Sequence, residues 1–258
     1  MTLPPPRKPR YAATVQRVQR LTPRMVRVVF GGAELGGFIW NGPAAHIKLI
    51  LAGADTPEVR PLSRTYTPRH FDAQRRELTV DFVLHGSGPA ASWAAQAQVG
   101  QSLTIAGPGR CYVLDPQAQW LLLAGDEAAI PAIGTLLEVV PAHLRTQVLV
   151  EVNDAADEFT IAPPRPNVSV RWLHRAVPLL EHGSPAPAGV ELGAALTAWQ
   201  QPEGPGRIYV ACEAEAMRRM RRHLLSERAL PREWLTTRGY WKQGATDHPD
   251  RDYGEDVG

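Results

Sequence analysis

The feature of this sequence that most constrains its fold is a change in hydrophobic pattern near residue 116. Before that point, short apolar segments are separated by Gly and Pro, as in YAATVQRVQR, MVRVVFGG, HIKLIL, SRTYTP, ELTVDFVLH and SLTIAGP. Alternating apolar residues between turn residues are typical of half-buried antiparallel strands. A single helical segment, residues 89–97, interrupts them. This half therefore predicts an antiparallel β-barrel.

After Trp120 the pattern changes to apolar strands that alternate with helices. The predicted strands are WLLLAG, TQVLVEV, VSVRWL and RIYVAC, and the predicted helices are AAIPAIGTLLEVV, VELGAALTAW and EAEAMRRMRRHLLSER. This alternation is typical of a parallel sheet with helices on both faces. We expect a barrel domain over residues 1–116 and an α/β domain over 117–258. Within the second, residues 163–189 predict mainly a surface loop, and the tail after Gly244 predicts a frayed end.

Composition excludes several classes of protein. The net charge is +2, which is too small for a protein whose main task is to bind a polyanion. The two cysteines, Cys111 and Cys212, lie far apart and predict neither a disulfide framework nor a zinc or other metal site. The N-terminal residues contain no apolar signal segment, and no stretch is long enough to span a bilayer. We expect a cytoplasmic protein.

A first candidate binding motif is Arg64-Thr65-Tyr66-Thr67 on a predicted barrel strand. Alternation along a strand places Arg64 and Tyr66 on one face and the two threonines on the other. An aromatic face beside a guanidinium suits a planar ring joined to a phosphate. An ordinary barrel strand with an exposed Arg and a packed Tyr explains the same four residues.

A second candidate is the turn that follows the strand ending in Asp81-Phe82-Val83-Leu84-His85. After Gly88, Pro89 is suited to the first helical position, so the next amides would point at an anion such as a pyrophosphate. These amides belong to Ala90, Ala91 and Ser92. A simple strand-turn-helix connection with Trp93 in the core is the alternative. His85 fits either a ligand contact or a cap of the turn.

In the second half, residues 124–133 follow the first apolar strand and open a helix, where open α/β sheets bind nucleotides. The GxGxxG fingerprint is absent, and a turn without a ligand remains the alternative. Glu213 ends another strand beside it, and Trp241 approaches the same edge; either residue could equally serve packing. Glu151 suits a ribose hydroxyl, whereas a 2′-phosphate suits a group of arginines. These are Arg165, Arg171 and Arg175.

Six segments together resemble the siderophore-interacting proteins, which are FAD-dependent ferric-siderophore reductases of the ferredoxin-NADP reductase superfamily. In chain order they are HIKL, RTYTPR, VDFVLHGSGPAASWA, LAGDEAAIPAI, YVACEAEAMRRMRRHL and GYWKQG. The resemblance covers nearly the whole chain. It implies an antiparallel FAD-binding β-barrel followed by an α/β parallel-sheet nucleotide-binding domain, which agrees with the reading of the hydrophobic pattern.

The resemblance also implies roles for individual residues. The flavin side comprises Arg64, Tyr66, Thr67, Asp81, Val83, His85, Gly88, Ala90, Ser92 and Trp93. The nicotinamide side comprises Gly125, Asp126, Glu127 and Glu213. Lys48 and Lys242 match positions of a basic pocket for the anionic ferric siderophore. The segment GYWKQGATDH lacks a further basic residue that some family members carry there.

The resemblance implies reduction of a ferric siderophore by NAD(P)H through FAD, in iron transport and iron homeostasis. A flavin passes a hydride pair on as single electrons, so no residue is needed as a covalent catalyst. The nearest alternative is a flavin oxidoreductase of the same fold with another acceptor or with a ferredoxin donor. A binding protein without turnover and an Arg-rich barrel that binds RNA are more distant alternatives. A serine hydrolase is disfavoured because GxSxG is absent.

Overall fold

The computed structural model describes residues 8–52, 62–84, 88–175, 187–245, 248 and 252–254. The chain divides into two compact units, Met1–Val113 and Leu114–Gly258. Among the described helices, none combines the length and the apolar character that a membrane span requires.

The first unit is a seven-stranded antiparallel sheet, which confirms the barrel-like class predicted for this half. Its elements are β1 (Arg10–Thr22), β2 (Met25–Gly31), β3 (Ile47–Ala52), β4 (Leu62–Tyr66), β5 (Pro68–Asp72), β6 (Glu77–Val83), α1 (Pro89–Ala95) and β7 (Ser102–Ala106). The strand order is β4-β3-β7-β1-β2-β6-β5. The two edge strands, β4 and β5, are consecutive in sequence. Helix α1 ends two residues earlier than predicted.

Alternate residues of these strands form one apolar core. On β6, Leu78, Val80 and Phe82 are completely buried, as are Val28 and Phe30 on β2. Burying one such side chain contributes roughly 1.5–3 kcal/mol. This core holds the strand faces in register, so each strand presents its intervening residues on the opposite face.

The second unit is a five-stranded parallel sheet, which confirms the α/β class predicted for this half. Its elements are β8 (Trp120–Asp126), α2 (Ile130–Val139), β9 (Arg145–Val152), β10 (Val168–His174), α3 (Val190–Thr197), β11 (Gly206–Glu213), α4 (Ala214–Arg222) and β12 (Leu235–Trp241). The strand order is β10-β9-β8-β11-β12. Because β9 and β11 lie on opposite sides of β8, the chain changes direction across the sheet at β8.

Burial explains why the strands of the second unit read as continuous apolar runs. All seven residues of β8 are buried, since helices cover both faces of a parallel sheet. Helix α4 is amphipathic: it buries Met217 and Met220 against the sheet and exposes Arg219 and Arg222. Within segment 163–189, β10 confirms the strand predicted at VSVRWL, and residues 176–186 lie outside the described part of the chain.

The C-terminal tail is held in place where it is described, so the prediction of a frayed end is wrong for residues 252–254. The buried carboxylate of Asp252 accepts hydrogen bonds from Arg218 (2.6 Å), from His248 (2.8 Å) and from the amide of Gly254 (3.0 Å). Its backbone carbonyl accepts the amide of Gly239 on β12 (2.9 Å). The tail therefore contacts both the outer edge of β12 and helix α4.

Replacing Asp252 should destabilise the second unit. In Asp252→Asn the charge that pairs with Arg218 is lost while the side chain stays buried, so we expect a loss of about 2 kcal/mol in the free energy of unfolding. Urea unfolding followed by tryptophan fluorescence measures it. Glu227→Gln is the control, because the exposed pair of Glu227 with His223 should contribute less than about 0.5 kcal/mol. Equal losses in the two variants would contradict this role of Asp252.

Candidate functional site

The register of β3 and β4 shows which residues of the Arg64-Thr65-Tyr66-Thr67 motif lie on each face of the sheet. Tyr66 is opposite Ile47 and Arg64 is opposite Leu49, and both partners are completely buried. Thr65 is opposite Lys48 on the other face. Arg64 and Tyr66 therefore share the inner face of the sheet, as the alternation predicts. The guanidinium of Arg64 donates to the carbonyl of Ser63 (2.8 Å).

Tyr66 belongs to a chain of aromatic rings inside the first unit. Its ring centroid lies 4.6 Å from that of Phe82, which lies 5.6 Å from Trp93; Trp93 in turn stacks on Phe30 at 6.0 Å. Burial raises the pKa of Tyr66 above its usual range, so its hydroxyl keeps its proton well beyond neutral pH. These contacts give Trp93 a packing role, and a role for it in cofactor binding stays a prediction.

The first turn of α1 offers fewer free amides than predicted. The amide of Ser92 donates to the carbonyl of Gly88 (2.9 Å), so it is used by the helix itself, and the prediction that it is free is wrong. The amides of Ala90 and Ala91 lie in the first turn, where the helix supplies no acceptor. A Cβ added at Gly88 would meet no described atom within 4 Å, so no described side chain packs against this position.

Asp81 and Val83 lie on the face of β6 that points away from Phe82. Both carboxylate oxygens of Asp81 accept from the guanidinium of Arg27, its cross-strand partner, at 2.7 and 2.8 Å. Asp81 is buried, and its structural partner Arg27 is one that sequence reasoning missed. Only the register of β2 and β6 identifies Arg27. Val83 is also buried, and the predicted His85 lies outside the described residues.

These groups fit an FAD. An aromatic side chain and a guanidinium share one strand face, which suits a flavin with its phosphates, and the first turn of α1 leaves two helix amides for an anion. Within the described residues there is no group of three or more His, Cys, Asp or Glu that could hold a metal ion.

In the second unit, Asp126 joins the carboxyl ends of three strands. Its Oδ1 accepts the amide of Ala128 (3.0 Å), while its Oδ2 accepts the amide of Glu213 (3.0 Å) and the indole N–H of Trp241 (2.8 Å). Asp126 ends β8, Glu213 ends β11 and Trp241 ends β12. This is the point where strand order reverses, which is where open α/β sheets bind ligands. The predicted Asp126, Glu213 and Trp241 are therefore neighbours.

The electrostatics of this junction are unusual. Burial and the neighbouring Glu127 carboxylate raise the pKa of Asp126 to about 7, against the opposing effect of the Trp241 hydrogen bond. Glu213 uses one carboxylate oxygen to accept the amide of Ala216 (2.8 Å) at the start of α4, and the other accepts the amide of Gln243 (3.3 Å). Both carboxylates therefore hold backbone and indole N–H groups in place.

Arg175 neutralises the other two acidic residues at this end of the sheet. Its guanidinium donates to both oxygens of Glu127 (2.7 and 2.5 Å) and to Glu151 (2.9 Å). Glu151 is completely buried and also accepts the amides of Gly189 (2.8 Å) and Leu192 (2.9 Å). The ribose contact suggested for Glu151 is therefore wrong for this structure, because the side chain is completely buried and its carboxylate bonds within the protein.

The remaining arginines suggested for a 2′-phosphate differ in availability. Arg165 donates to the carbonyls of Val140 (2.8 Å) and Leu137, so it is part of the loop structure. Arg171 is exposed on β10.

Gly125 is explained by packing. A Cβ at this position would lie 2.4 Å from the Cβ of Ala129 and 2.6 Å from the carbonyl oxygen of Ala211. Only glycine allows this approach of β8 to β11 and to the turn before α2. A larger residue here would disturb the fold itself, and a direct nicotinamide contact by Gly125 stays a prediction.

The two lysines predicted for the acceptor lie in different units. Lys48 is half-buried on the outer face of β3. Lys242 follows β12 directly, is about half exposed, and pairs with Glu215 of α4 at 3.1 Å.

Comparison with known proteins first identifies the class. An antiparallel barrel-like unit followed by a parallel α/β unit is the architecture of ferredoxin-NADP reductases. The chain matches a ferredoxin NADP⁺ reductase from Neisseria gonorrhoeae with a TM-score of 0.64 over 90% of this chain and 99% of the other, and 13% identity limits that likeness to the fold.

Family models then identify the chain more closely. Residues 14–59 and 53–112 match the siderophore-interacting FAD-binding domain, and residues 118–244 match the siderophore-interacting protein model. The chain belongs to the siderophore-interacting protein family, and its first unit is an FAD-binding domain.

Three relatives illustrate the family. A siderophore utilization protein from T. fusca is similar with a TM-score of 0.82 and 34% identity, covering 94% of this chain and 96% of the other. The ferric vibriobactin reductase of Vibrio cholerae is 32% identical over 88% of each chain. The NADPH-dependent ferric-chelate reductase of Escherichia coli is 31% identical over 88% of this chain and 91% of the other.

The Asp126–Trp241 hydrogen bond should be measurable as a coupling energy. Trp241→Phe removes the indole donor and keeps an aromatic ring, and we expect it to cost about 1–2 kcal/mol of unfolding free energy. In an Asp126→Asn background the cost of Trp241→Phe should fall by about 1 kcal/mol. The reason is that the side-chain amide of asparagine has only one oxygen and cannot accept hydrogen bonds at both ends as the carboxylate does.

The matched control is Trp199→Phe, which removes a different indole hydrogen bond, to Gln147 at 3.0 Å, in the same unit. The losses of unfolding free energy in Trp199→Phe and Asp126→Asn should be additive in the double variant. Additive behaviour of Trp241→Phe with Asp126→Asn would disprove the proposed link between the strand ends.

Proposed function

We propose that this protein is an NAD(P)H-dependent ferric-siderophore reductase that works through FAD. The observation that carries the proposal is its match, along both units in order, to relatives named as ferric reductases, one of them over 88% of each chain. A match along most of both chains supports a shared activity better than a match to one domain would.

In this proposal the barrel domain, residues 1–116, holds the FAD. Arg64 supplies positive charge to the phosphates, and Tyr66 and Thr67 contact the flavin. The remainder of the FAD lies against the strand of Asp81 and Val83 and against the turn that follows it. The residues of that turn are His85, Gly88, Ala90, Ser92 and Trp93. The ion pair of Asp81 with Arg27, which uses both carboxylate oxygens, joins β6 to β2 and so positions this strand. When bound, FAD supplies the conversion of a two-electron donor into one-electron steps.

The α/β domain, residues 117–258, receives the nicotinamide cofactor. The bonds from Asp126 to Glu213 and Trp241 hold the strand ends where the nicotinamide would approach, together with Gly125 and Glu127. Arg175 neutralises Glu127 and Glu151, which lowers repulsion of the anionic cofactor. NADPH is the first donor to test because the Escherichia coli relative is named as NADPH-dependent.

Lys48 and Lys242 contribute positive charge for the ferric siderophore. Hard oxygen ligands bind Fe(III) more strongly than Fe(II), so reduction loosens the complex and releases iron. The supply of NAD(P)H makes the cytoplasm the compartment in which this reaction would serve iron transport.

Anaerobic half-reactions test the activity. NADPH or NADH should bleach the flavin absorbance of the purified protein, and a ferric siderophore added afterwards should restore it. If reduced ferredoxin alone bleaches it, the reductase assignment stands with another donor. If no ferric siderophore reoxidises the chemically reduced protein, the flavin-oxidoreductase alternative with another acceptor replaces the proposal.

Arg64→Ala should weaken FAD binding. A charge-assisted contact to phosphate contributes roughly 1.5–3 kcal/mol, so the Kd of FAD should rise about 10- to 150-fold. Titration of the apoprotein with FAD measures it. Arg75→Ala is the matched control, because Arg75 is exposed and pairs only at 3.8 Å with Asp72. An unchanged Kd in Arg64→Ala would remove Arg64 from the FAD site.

A further inference from the structure

The side chain of Arg175 crosses the carboxyl ends of three parallel strands. Arg175 follows β10, and its amide donates to the carbonyl of Val152 at the end of β9 (3.0 Å), so it extends the ladder between these two strands by one step. Its guanidinium then reaches Glu151 on β9 and Glu127 just after β8. This one side chain therefore joins the third, second and first strands of the unit at the edge where open α/β sheets bind ligands.

The strand order indicates which part of a dinucleotide would lie at this edge. The order β10-β9-β8-β11-β12 is the doubly wound order 3-2-1-4-5, in which the first three strands hold the adenosine half. In that arrangement an acidic residue near the end of the second strand binds the ribose 2′-hydroxyl of NADH, or a nearby arginine binds the 2′-phosphate of NADPH. Glu127, Glu151 and Arg175 bring both chemical types together here.

Only two of these three side chains reach solvent. The side chains of Glu127 and Arg175 are 16% and 17% exposed, whereas that of Glu151 is completely buried. Each carboxylate oxygen of Glu127 accepts one hydrogen bond from Arg175, at 2.7 and 2.5 Å from its two Nη atoms. Because each oxygen has a second lone pair, Glu127 retains the capacity to accept a hydroxyl from the solvent side. Glu127 therefore suits a ribose hydroxyl, in place of the buried Glu151.

The same contacts disfavour a 2′-phosphate. All three guanidinium nitrogens of Arg175 donate to carboxylates of the protein, and two carboxylates share its one positive charge. A phosphate would have to displace Glu127 from the two Nη atoms and would meet its negative charge. The other suggested arginines do not replace Arg175, since Arg165 bonds to loop carbonyls and Arg171 lies in the middle of β10.

We propose that Glu127 determines the choice of electron donor: it accepts the 2′-hydroxyl of the adenosine ribose and keeps Arg175 from a 2′-phosphate, so NADH is favoured over NADPH. The inference rests on the proposed function, in which the second unit receives the nicotinamide cofactor. It moves Glu127 from the nicotinamide side to the adenosine side of that cofactor. The preferred donor would then differ from the one in the name of the Escherichia coli relative.

Glu127→Gln separates the two donors. The variant keeps the size of the side chain and an oxygen that accepts a hydroxyl, and it removes the negative charge that holds the Nη atoms of Arg175. Arg175 stays paired with the buried Glu151, so that carboxylate keeps its partner. A charge-assisted bond from a guanidinium to a phosphate corresponds to about tenfold or more in affinity. The Kd of NADP⁺ divided by that of NAD⁺ should therefore fall about tenfold or more.

The test measures binding to the oxidised, FAD-loaded protein by isothermal titration calorimetry, without turnover. The wild-type protein should bind NAD⁺ about tenfold or more tightly than NADP⁺. Two probes without nicotinamide, 2′,5′-ADP and 5′-AMP, locate the effect. In Glu127→Gln the Kd of 2′,5′-ADP should fall as much as that of NADP⁺, while the Kd of 5′-AMP stays nearly unchanged.

Glu158→Gln is the matched control. Glu158 pairs at 2.6 Å with His174, the residue before Arg175. The variant therefore removes one negative charge beside the same strand end and leaves the bonds of Arg175 in place. The ratio of its two dinucleotide Kd values should stay at the wild-type value.

The outcomes distinguish the role of Glu127 from the proposed function. An equal fall of the ratio in both variants, or a fall for NADP⁺ without one for 2′,5′-ADP, would overturn that role. Wild-type protein that binds NADP⁺ at least as tightly as NAD⁺ would also overturn it and leave the reductase proposal standing with NADPH as donor. Failure to bind either dinucleotide would overturn both the role and the nicotinamide donor. Selective binding of NAD⁺ without flavin reduction by NADH would support the role and contradict the reductase proposal.

Discussion

The buried carboxylate of Asp126 is the interaction on which the geometry of the second unit most depends. It accepts N–H groups from the ends of β11 and β12 and from the turn that follows β8. A carboxylate is suited to this role because both of its oxygens only accept when it is ionised, whereas an amide would present a donor to one side. The cost is the burial of a titratable group, and this raises the pKa of Asp126 to about 7.

In the first unit the corresponding constraint is strand register. Because side chains alternate, the register that packs Ile47 and Leu49 into the core also places Arg64 and Tyr66 beside them, and it turns Lys48 to the opposite face. A slip of one residue would exchange these faces. The core of the sheet therefore fixes Arg64 and Tyr66 on one face and Lys48 on the other.

Local pattern was sufficient to predict both halves of the fold, the strands that carry Arg64, Asp81, Asp126 and Glu213, and the helix that begins at Pro89. These depend on period, turn residues and helix-start chemistry within a few residues of each other. The partners of these residues were not predictable in the same way. Arg27 meets Asp81 from 54 positions away. Trp241 was expected near the edge where Asp126 lies, but its hydrogen bond to Asp126, 115 positions away, was not. Sheet topology creates these pairs, and the sequence contains no short-range sign of them.

The same reasoning explains the acidic tail and Glu151. By composition both resemble solvent-exposed or ligand-binding carboxylates, because a single sequence does not show which N–H groups the fold will bring near them. In the structure Asp252 meets Arg218, His248 and the Gly254 amide, and Glu151 meets Arg175 and two amides at the start of α3.

These hydrogen-bond and ion-pair partners change the electrostatic potential around the acidic residues of the second unit. The second unit has an excess of acidic residues by sequence, yet the carboxylates at its strand ends are already matched by Arg175 and by backbone N–H groups. An anionic nicotinamide cofactor would therefore meet less negative potential at that edge than the count of acidic residues implies, since the fields of closely paired opposite charges largely cancel away from the pair. Under the proposed function, local pairing, more than net charge, would set the potential that an anionic donor meets at this edge.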